Sequence, residues 1–493
     1  MLALSYLYHM LATFRPLFSR PTPWVLFCVV ILGFIGTPHL EGLTSLCRFW
    51  FMEEADYHRL LHFFHSCAWS LDDLVRHWSH LVLSQQVAVS VEGRAVLLGD
   101  HTAVVKDARR MPGVVTLYQD SETQSKPTYY RGHYWGVVGL LVGSLREAFC
   151  LPLEARLHQG FAHLGAAKST PTDRDTQGVM LVQMALDFAL RHDRLSILVL
   201  DAFFSSGAVF ELAHSVWSIA LKQPSLTILT RAKKSYVAYL EPLAPRPKPR
   251  GRPKKYGDKI KLKTVFKTHQ EQFLQAECQV YGHVERISYL ALNLLWKPIK
   301  GPVRFIFAIT SRGPLILMCS DLTMAPLLAI ELYCARVRVE TMFSMLKSVL
   351  GAFAYRFWSK YVPRHSRKPK KNADLKRPQS QHVPAVQQTW LACERFVMLG
   401  CLALGMLQLI SLKCHGAIWD AFTAYLRTRS RTLPSERTVK AVLAQELLRD
   451  FHHVKPSAMM HEIHDLTHRS HEDDEQEALY PKKKTKSPKL ERA

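Results

Sequence analysis

Apolar positions change their spacing more than once along this chain. Over residues 1–85 they recur at helical intervals. Trp24–Gly36 is apolar on every side and predicts a buried helix, and Glu53–Phe64 and Leu71–Leu83 follow with one apolar face each. From Gln86 the spacing becomes that of strands. Val87–Asp100 alternates and then runs apolar. His133–Gly143 and Ala148–Leu157 follow as a predicted hairpin. Asp173–Arg191 reads as a helix with Asp173 as its cap, Leu195–Leu200 as a buried central strand, Gly207–Leu221 as a helix and Leu226–Thr230 as another short buried strand. Three antiparallel strands followed by alternating helices and parallel strands predict a mixed α/β sheet.

Beyond Arg231 the pattern breaks. Arg231–Thr268 holds 13 Lys and Arg against Glu241 and Asp258 and is rich in Pro, which suggests an insertion lying on the sheet. Strand-like runs return at Val303–Thr310 and Leu315–Cys319. Pro326 opens a helix expected to run through Leu350. Arg364–Arg377 is a second basic loop. Trp390–Leu412 is an apolar helix, and the chain after about Asp450 is polar and ends in a basic, disordered tail. The expected division is a helical region at 1–85 that contacts DNA or simply packs, a core in two parts (86–230 and 301–360), an insertion at 231–300, C-terminal helices at 361–450 and a tail at 451–493.

Composition narrows the function. The chain has 493 residues and a formal net charge of +23, which favours a polyanionic partner, either nucleic acid or an anionic membrane. Phe396–Leu412, with Glu394 and Arg395 just before it and Gln408 inside, is shorter than a membrane span of about 20 residues and reads as a core helix. The ten cysteines form no CxxC pair, and Cys28, Cys150, Cys319, Cys334 and Cys401, inside apolar runs, read as buried free thiols of a reducing compartment. The paired histidines His62/His65 and His77/His80 lack the partners of a zinc site. Phosphate loops, Gly-x-Ser-x-Gly elbows and GxGxxG motifs are absent from the sequence, so nucleotide hydrolases, serine hydrolases and dinucleotide enzymes find no support.

Position singles out a few acids. Asp100 and Asp201 stand where predicted apolar strands stop, at the sheet edge where α/β proteins bind ligands. On the predicted helix, Tyr333, Arg336, Glu340 and Lys347 fall within roughly a 60° sector. Taken alone, that face is an Arg336–Glu340 ion pair on a solvated surface. The run YCARVRVETMFSMLK, however, has the spacing Tyr-x2-Arg-x3-Glu-x6-Lys. It resembles the signature of DDE transposases of the insertion-sequence-four type. The preceding CSDLT, Asp100 in LLGDHTAVVK and Asp201 in LVLDAFFSSG resemble their other segments. The resemblance covers about Val87 to Ala352.

The resemblance implies an RNase H-like core and two Mg²⁺ or Mn²⁺ ions per site. Asp100 would bridge both, and Asp201 and Glu340 would hold one each, as hard cations prefer carboxylate oxygens. It also implies that Arg336, Lys347 and Tyr333 hold a DNA phosphate. The expected activity is cleavage and joining of DNA at the inverted repeats of an insertion sequence, by a dimer in a synaptic complex in the bacterial cytoplasm, associated with the nucleoid. In the basic segment, Pro249–Pro253 has the form of an AT-hook core: Arg250 and Arg252 suit the minor groove, Lys254 and Lys255 the phosphates. Phe305 and Phe307 suit core packing first and base stacking second. The alternatives are an inactive DNA-binding protein derived from a transposase and a membrane-anchored protein.

Overall fold

The computed structural model describes residues 2–118, 128–158, 176–218, 222–242, 254–366, 378–426 and 432–467. At its centre Arg94–Val105 (β1), Tyr129–Gly143 (β2) and Ala148–Leu157 (β3) form an antiparallel meander. Ser196–Leu200 (β4) and Leu226–Arg231 (β5) join the free edge of β1 in parallel, giving the order β3-β2-β1-β4-β5. All five residues of β4 are buried, which explains the uninterrupted apolar run SILVL. This mixed sheet with its flanking helices is consistent with the RNase H-like core expected of a DDE protein.

The described parts of 231–300, expected to lie on the sheet, enlarge it instead. Val237–Tyr239, Lys259–Lys261, Leu274–Val280 and His283–Trp296 (β6) are all strands of the same sheet. Gly301–Thr310 (β7) and Gly313–Cys319 (β8) connect them to β5 through antiparallel pairing. In β6 most positions are partly buried or exposed, and most of its apolar residues fall in two short runs split by Asn293. Phe305 and Phe307 on β7 are fully buried, which removes them as base-stacking residues.

Several helices are bounded by their capping residues. Ser70 caps Leu71–Ser84 by accepting from the Asp73 amide. Thr176 caps Gln177–Arg191 in the same way, in the place expected of Asp173, which lies outside the described residues. The helix begun at Gly207 ends at His214, because Trp217–Ser218 pairs with Gln223–Pro224 as a small ladder. The tail is ordered further than its polarity suggests. Residues 458–467 are helical, with Met460 and Ile463 buried and the His464 ring stacked on Phe451.

The N-terminal and C-terminal helices form one packed layer. Pro21–Gly36 (α1), apolar on all sides, is buried from Trp24 to Gly36. It contacts Val383–Lys413 (α2) and Glu436–Phe451 (α3). Among the described residues, Ser380–Lys413 is the one helix long and apolar enough to cross a membrane. Of its most apolar window, 89% is buried inside the protein, packed on β3 and the other helices.

Buried cations fasten this layer at helix ends, where carbonyls lack intrahelical partners. Arg395 donates to the carbonyls of Phe64, Ser66 and Trp69. Lys440 donates to those of Phe34 and Thr37, at 2.8 Å each, closing the end of α1. Burial lowers the Lys440 ammonium to about 8. Lys440→Met is expected to leave both carbonyls unpaired and to lower stability by about 1–3 kcal/mol, read as a drop in the urea midpoint. An unchanged midpoint would contradict this role.

Candidate active site

Asp100 does not end its strand. β1 continues to Val105 because its antiparallel partner β2 is long, with Asp100 opposite Val137. What stops is the parallel neighbour. Leu98 pairs with Val199, so Asp100 and Asp201 each stand two residues past a paired position, side by side on one face of the sheet. Asp201 follows the last residue of β4 and opens the turn Ala202–Phe204. Its carbonyl accepts from Thr230 Oγ1 at 2.8 Å and from the Phe204 amide at 3.0 Å, which fixes that turn.

The third acid comes from a broken helix. Pro326–Ala335 (α4) and Val337–Ser344 (α5) meet at Arg336, and Met345–Val349 continues as a π turn, where one continuous helix was expected. Gly351, at φ 65, turns the chain away, and a Cβ there would meet the Leu40 carbonyl at 2.4 Å. Tyr333 lies on α4 and Glu340 on α5, with Arg336 at the joint. Lys347 sits exposed in the π turn.

Arg336 draws these elements together. Its Nη1 donates to Asp100 Oδ2 at 3.0 Å, and its Nη2 donates to Glu340 Oε1 at 3.1 Å and lies 3.8 Å from Asp201 Oδ1. The Tyr333 hydroxyl donates to Asp201 Oδ1 at 3.3 Å. The other Asp100 oxygen accepts from the His101 amide at 2.8 Å. The ion pair of the bare helix therefore extends to three carboxylates on three elements.

Electrostatics follow from this packing. Burial raises the Asp100 carboxyl to about 6, against the lowering by Arg336 and the His101 amide and with the raising by Asp201 and Glu340. Burial would lower the Arg336 guanidinium, but Asp201 and Asp100 outweigh it and the net shift is upward. Burial, reinforced by Asp201, raises the Tyr333 phenol to about 12, so it remains a hydrogen-bond donor at neutral pH.

The carboxylate oxygens of Asp100, Asp201 and Glu340 are the donor type that hard divalent cations prefer. Among the described residues, however, no three His, Cys, Asp or Glu side chains are already gathered as a metal-ligating group. The acids converge on the guanidinium instead. The donor chemistry fits a divalent ion, while their shared centre is held by the protein's own cation.

Lys254 and Lys255 are exposed near the start of the sheet extension, and Arg250 and Arg252 lie outside the described residues. Asp321 of CSDLT receives Arg94 Nη1 at 2.7 Å and bonds the Thr323 amide and hydroxyl, a structural contact. Sequence reasoning passed over Phe203, whose ring is 62% exposed two residues after Asp201 while Phe204 is buried. The signal was the double aromatic in DAFF, which does not say which ring faces out. It also passed over His101, whose buried ring lies between Tyr134 and Phe204 with neither nitrogen bonded.

One carboxylate within β1, one just past the end of its parallel neighbour β4 and a third from a helix make an acidic cluster of the kind nucleases use. Residues 32–287 match the model of the DDE superfamily endonucleases, and the chain belongs to that family. Membership implies a transposase-type nuclease with DNA as its substrate. The matched span contains Asp100 and Asp201 and ends before Glu340. None of the curated proteins matches the chain.

Proposed function

We propose that the protein is a DNA transposase of the insertion-sequence-four type, with Asp100, Asp201 and Glu340 as its catalytic acids. The observation that carries this reading is the meeting of these three carboxylates and Tyr333 around Arg336, in a chain of the DDE endonuclease family. Two divalent cations held by these acids would supply activation of the attacking oxygen and stabilisation of the leaving oxygen.

The protein's own groups have distinct tasks. Asp100, Asp201 and Glu340 would hold the divalent cations, whose charge would meet the scissile phosphate. Arg336 offers a two-pronged donor suited to a phosphate, and Tyr333 a single hydroxyl beside it. Lys347, with Lys254, Lys255, Arg250 and Arg252, adds cations for the phosphate backbone. Water displaces the 3′ oxygen at the element end in the first reaction, and the freed 3′-OH attacks a target phosphodiester in the second. Joining two ends calls for a dimer on paired inverted repeats. The reading places the protein in the bacterial cytoplasm, with the nucleoid.

The test uses DNA from both flanks of the gene, where this reading expects terminal inverted repeats. With Mg²⁺ the protein should nick it at the repeat ends. Asp201→Ala should abolish cutting and retain binding in a gel-shift assay. A variant that still cuts at the wild-type rate would sink the assignment, and a wild-type protein that binds but never cuts would identify an inactive DNA-binding derivative.

A further inference from the structure

We propose that Arg336 is a built-in counterion that keeps metal out of the acidic pocket until a DNA phosphate draws it away, so that substrate and metal binding are coupled. This rests on reading the pocket as a divalent-metal centre. The geometry is specific. One guanidinium donates to Asp100 and Glu340, at 3.0 and 3.1 Å, and lies 3.8 Å from Asp201. A cation bound by these carboxylates needs the same lone pairs and would stand beside a fixed positive charge. Only 14% of the Arg336 side chain is exposed, so water screens that repulsion poorly.

Charge balance ties the second ion to the substrate. The three carboxylates outweigh the guanidinium by two charges. One divalent ion would neutralise the pocket. A second would leave it positive until an anion joined, and the anion a nuclease brings is a phosphate. Arg336 can follow that phosphate. It sits at the joint between α4 and α5, where its amide bonds the Tyr333 carbonyl and its own carbonyl accepts from Val339. These backbone bonds do not involve the guanidinium, so turning the side chain breaks none of them. A guanidinium fork matches a phosphate as well as it matches carboxylates. Tyr333, bonded to Asp201 beside it, can donate to the same phosphate. DNA would thus replace the internal ion pairs of Arg336 with an external one and leave the acids open.

The experiment measures Mn²⁺ binding to the full chain by electron paramagnetic resonance, with and without a 5′-phosphorylated DNA duplex. Wild type should bind Mn²⁺ weakly alone and about tenfold or more tightly with the duplex. Arg336→Ala should bind Mn²⁺ tightly without DNA, and the duplex should add little. Arg336→Lys, which keeps the charge and loses the fork, should fall between the two. Melting curves check that the variants fold, and Mn²⁺ should raise the melting temperature of Arg336→Ala more than that of wild type. Equal Mn²⁺ affinity in wild type and both variants, or a duplex effect that survives in Arg336→Ala, overturns the inference. A further change, Asp201→Asn in the Arg336→Ala background, separates the two levels. If it removes the Mn²⁺ signal while wild type and Arg336→Ala bind equally, only the coupling fails. If the signal persists undiminished, the metal is not held by these acids, and the reading of the pocket fails with it.

Discussion

Asp100→Asn is expected to slow Mg²⁺-dependent strand cleavage by roughly 10²–10³-fold while leaving DNA affinity intact, the scale for removing one group that faces transition-state charge. Asn keeps the size of the side chain and can still accept from the His101 amide, so the strand and its pairing should persist. What is lost is a charge that Arg336 holds at 3.0 Å and that a metal would require. Wild type should also show a pH signature. With its carboxyl raised to about 6 by burial, Asp100 in the metal-free protein is mostly protonated at pH 5 and mostly ionised at pH 7. Protons and Mg²⁺ then compete for one oxygen pair. The Mg²⁺ concentration for half-maximal cleavage should climb as pH falls through about 6. A flat Mg²⁺ requirement from pH 5 to 8 would contradict the role given to this carboxyl.

Arg156→Ala should lower stability by about 3–5 kcal/mol, because it strands a buried carboxylate. Arg156 on β3 binds Glu154 at 2.7 Å and Asp72 at 2.5 Å, and lies 3.6 Å from Glu394 of α2. Glu394 is buried, and its carboxyl also accepts from the Leu157 amide at 3.0 Å. Burial already raises the Glu394 carboxyl, while Arg156 and that amide restrain it. Without Arg156 its folded-state value rises further above the unfolded one. The folded protein then binds a proton that the unfolded chain releases, so stability falls as pH rises. Urea unfolding should show a larger loss at pH 8 than at pH 5. Glu394→Gln in the same background should recover part of it. An equal loss at both pH values would show that Glu394 is not the stranded charge.

Much of the candidate site was legible because its residues carry local signals. Asp201 directly follows an uninterrupted apolar strand, and Tyr333, Arg336 and Glu340 recur at helical spacing. The sheet extension was hidden for the opposite reason. The strands nearest the basic run are three residues each, too short to show a period, and β6 mixes exposed, partly buried and buried positions, with Asn293 splitting its apolar residues. Pro and Lys near Arg250 suggested a loop and masked the fact that the segments on either side pair.

Residue order carried the elements and the chemical types. A buried strand must be apolar throughout, an amphipathic helix must repeat at its own period, and an acid after such a strand stands at the sheet edge. Those rules hold within a few residues, so one chain suffices to read them. Tertiary structure alone decided that β1 outruns its parallel neighbour at Asp100, that α4 and α5 break at Arg336, and that this guanidinium spans carboxylates 100 or more residues apart in the chain. It also decided that the most apolar helix, α2, lies inside the protein and holds the N-terminal helices through Arg395. These are matters of which surfaces meet, and local spacing along a chain carries no record of them.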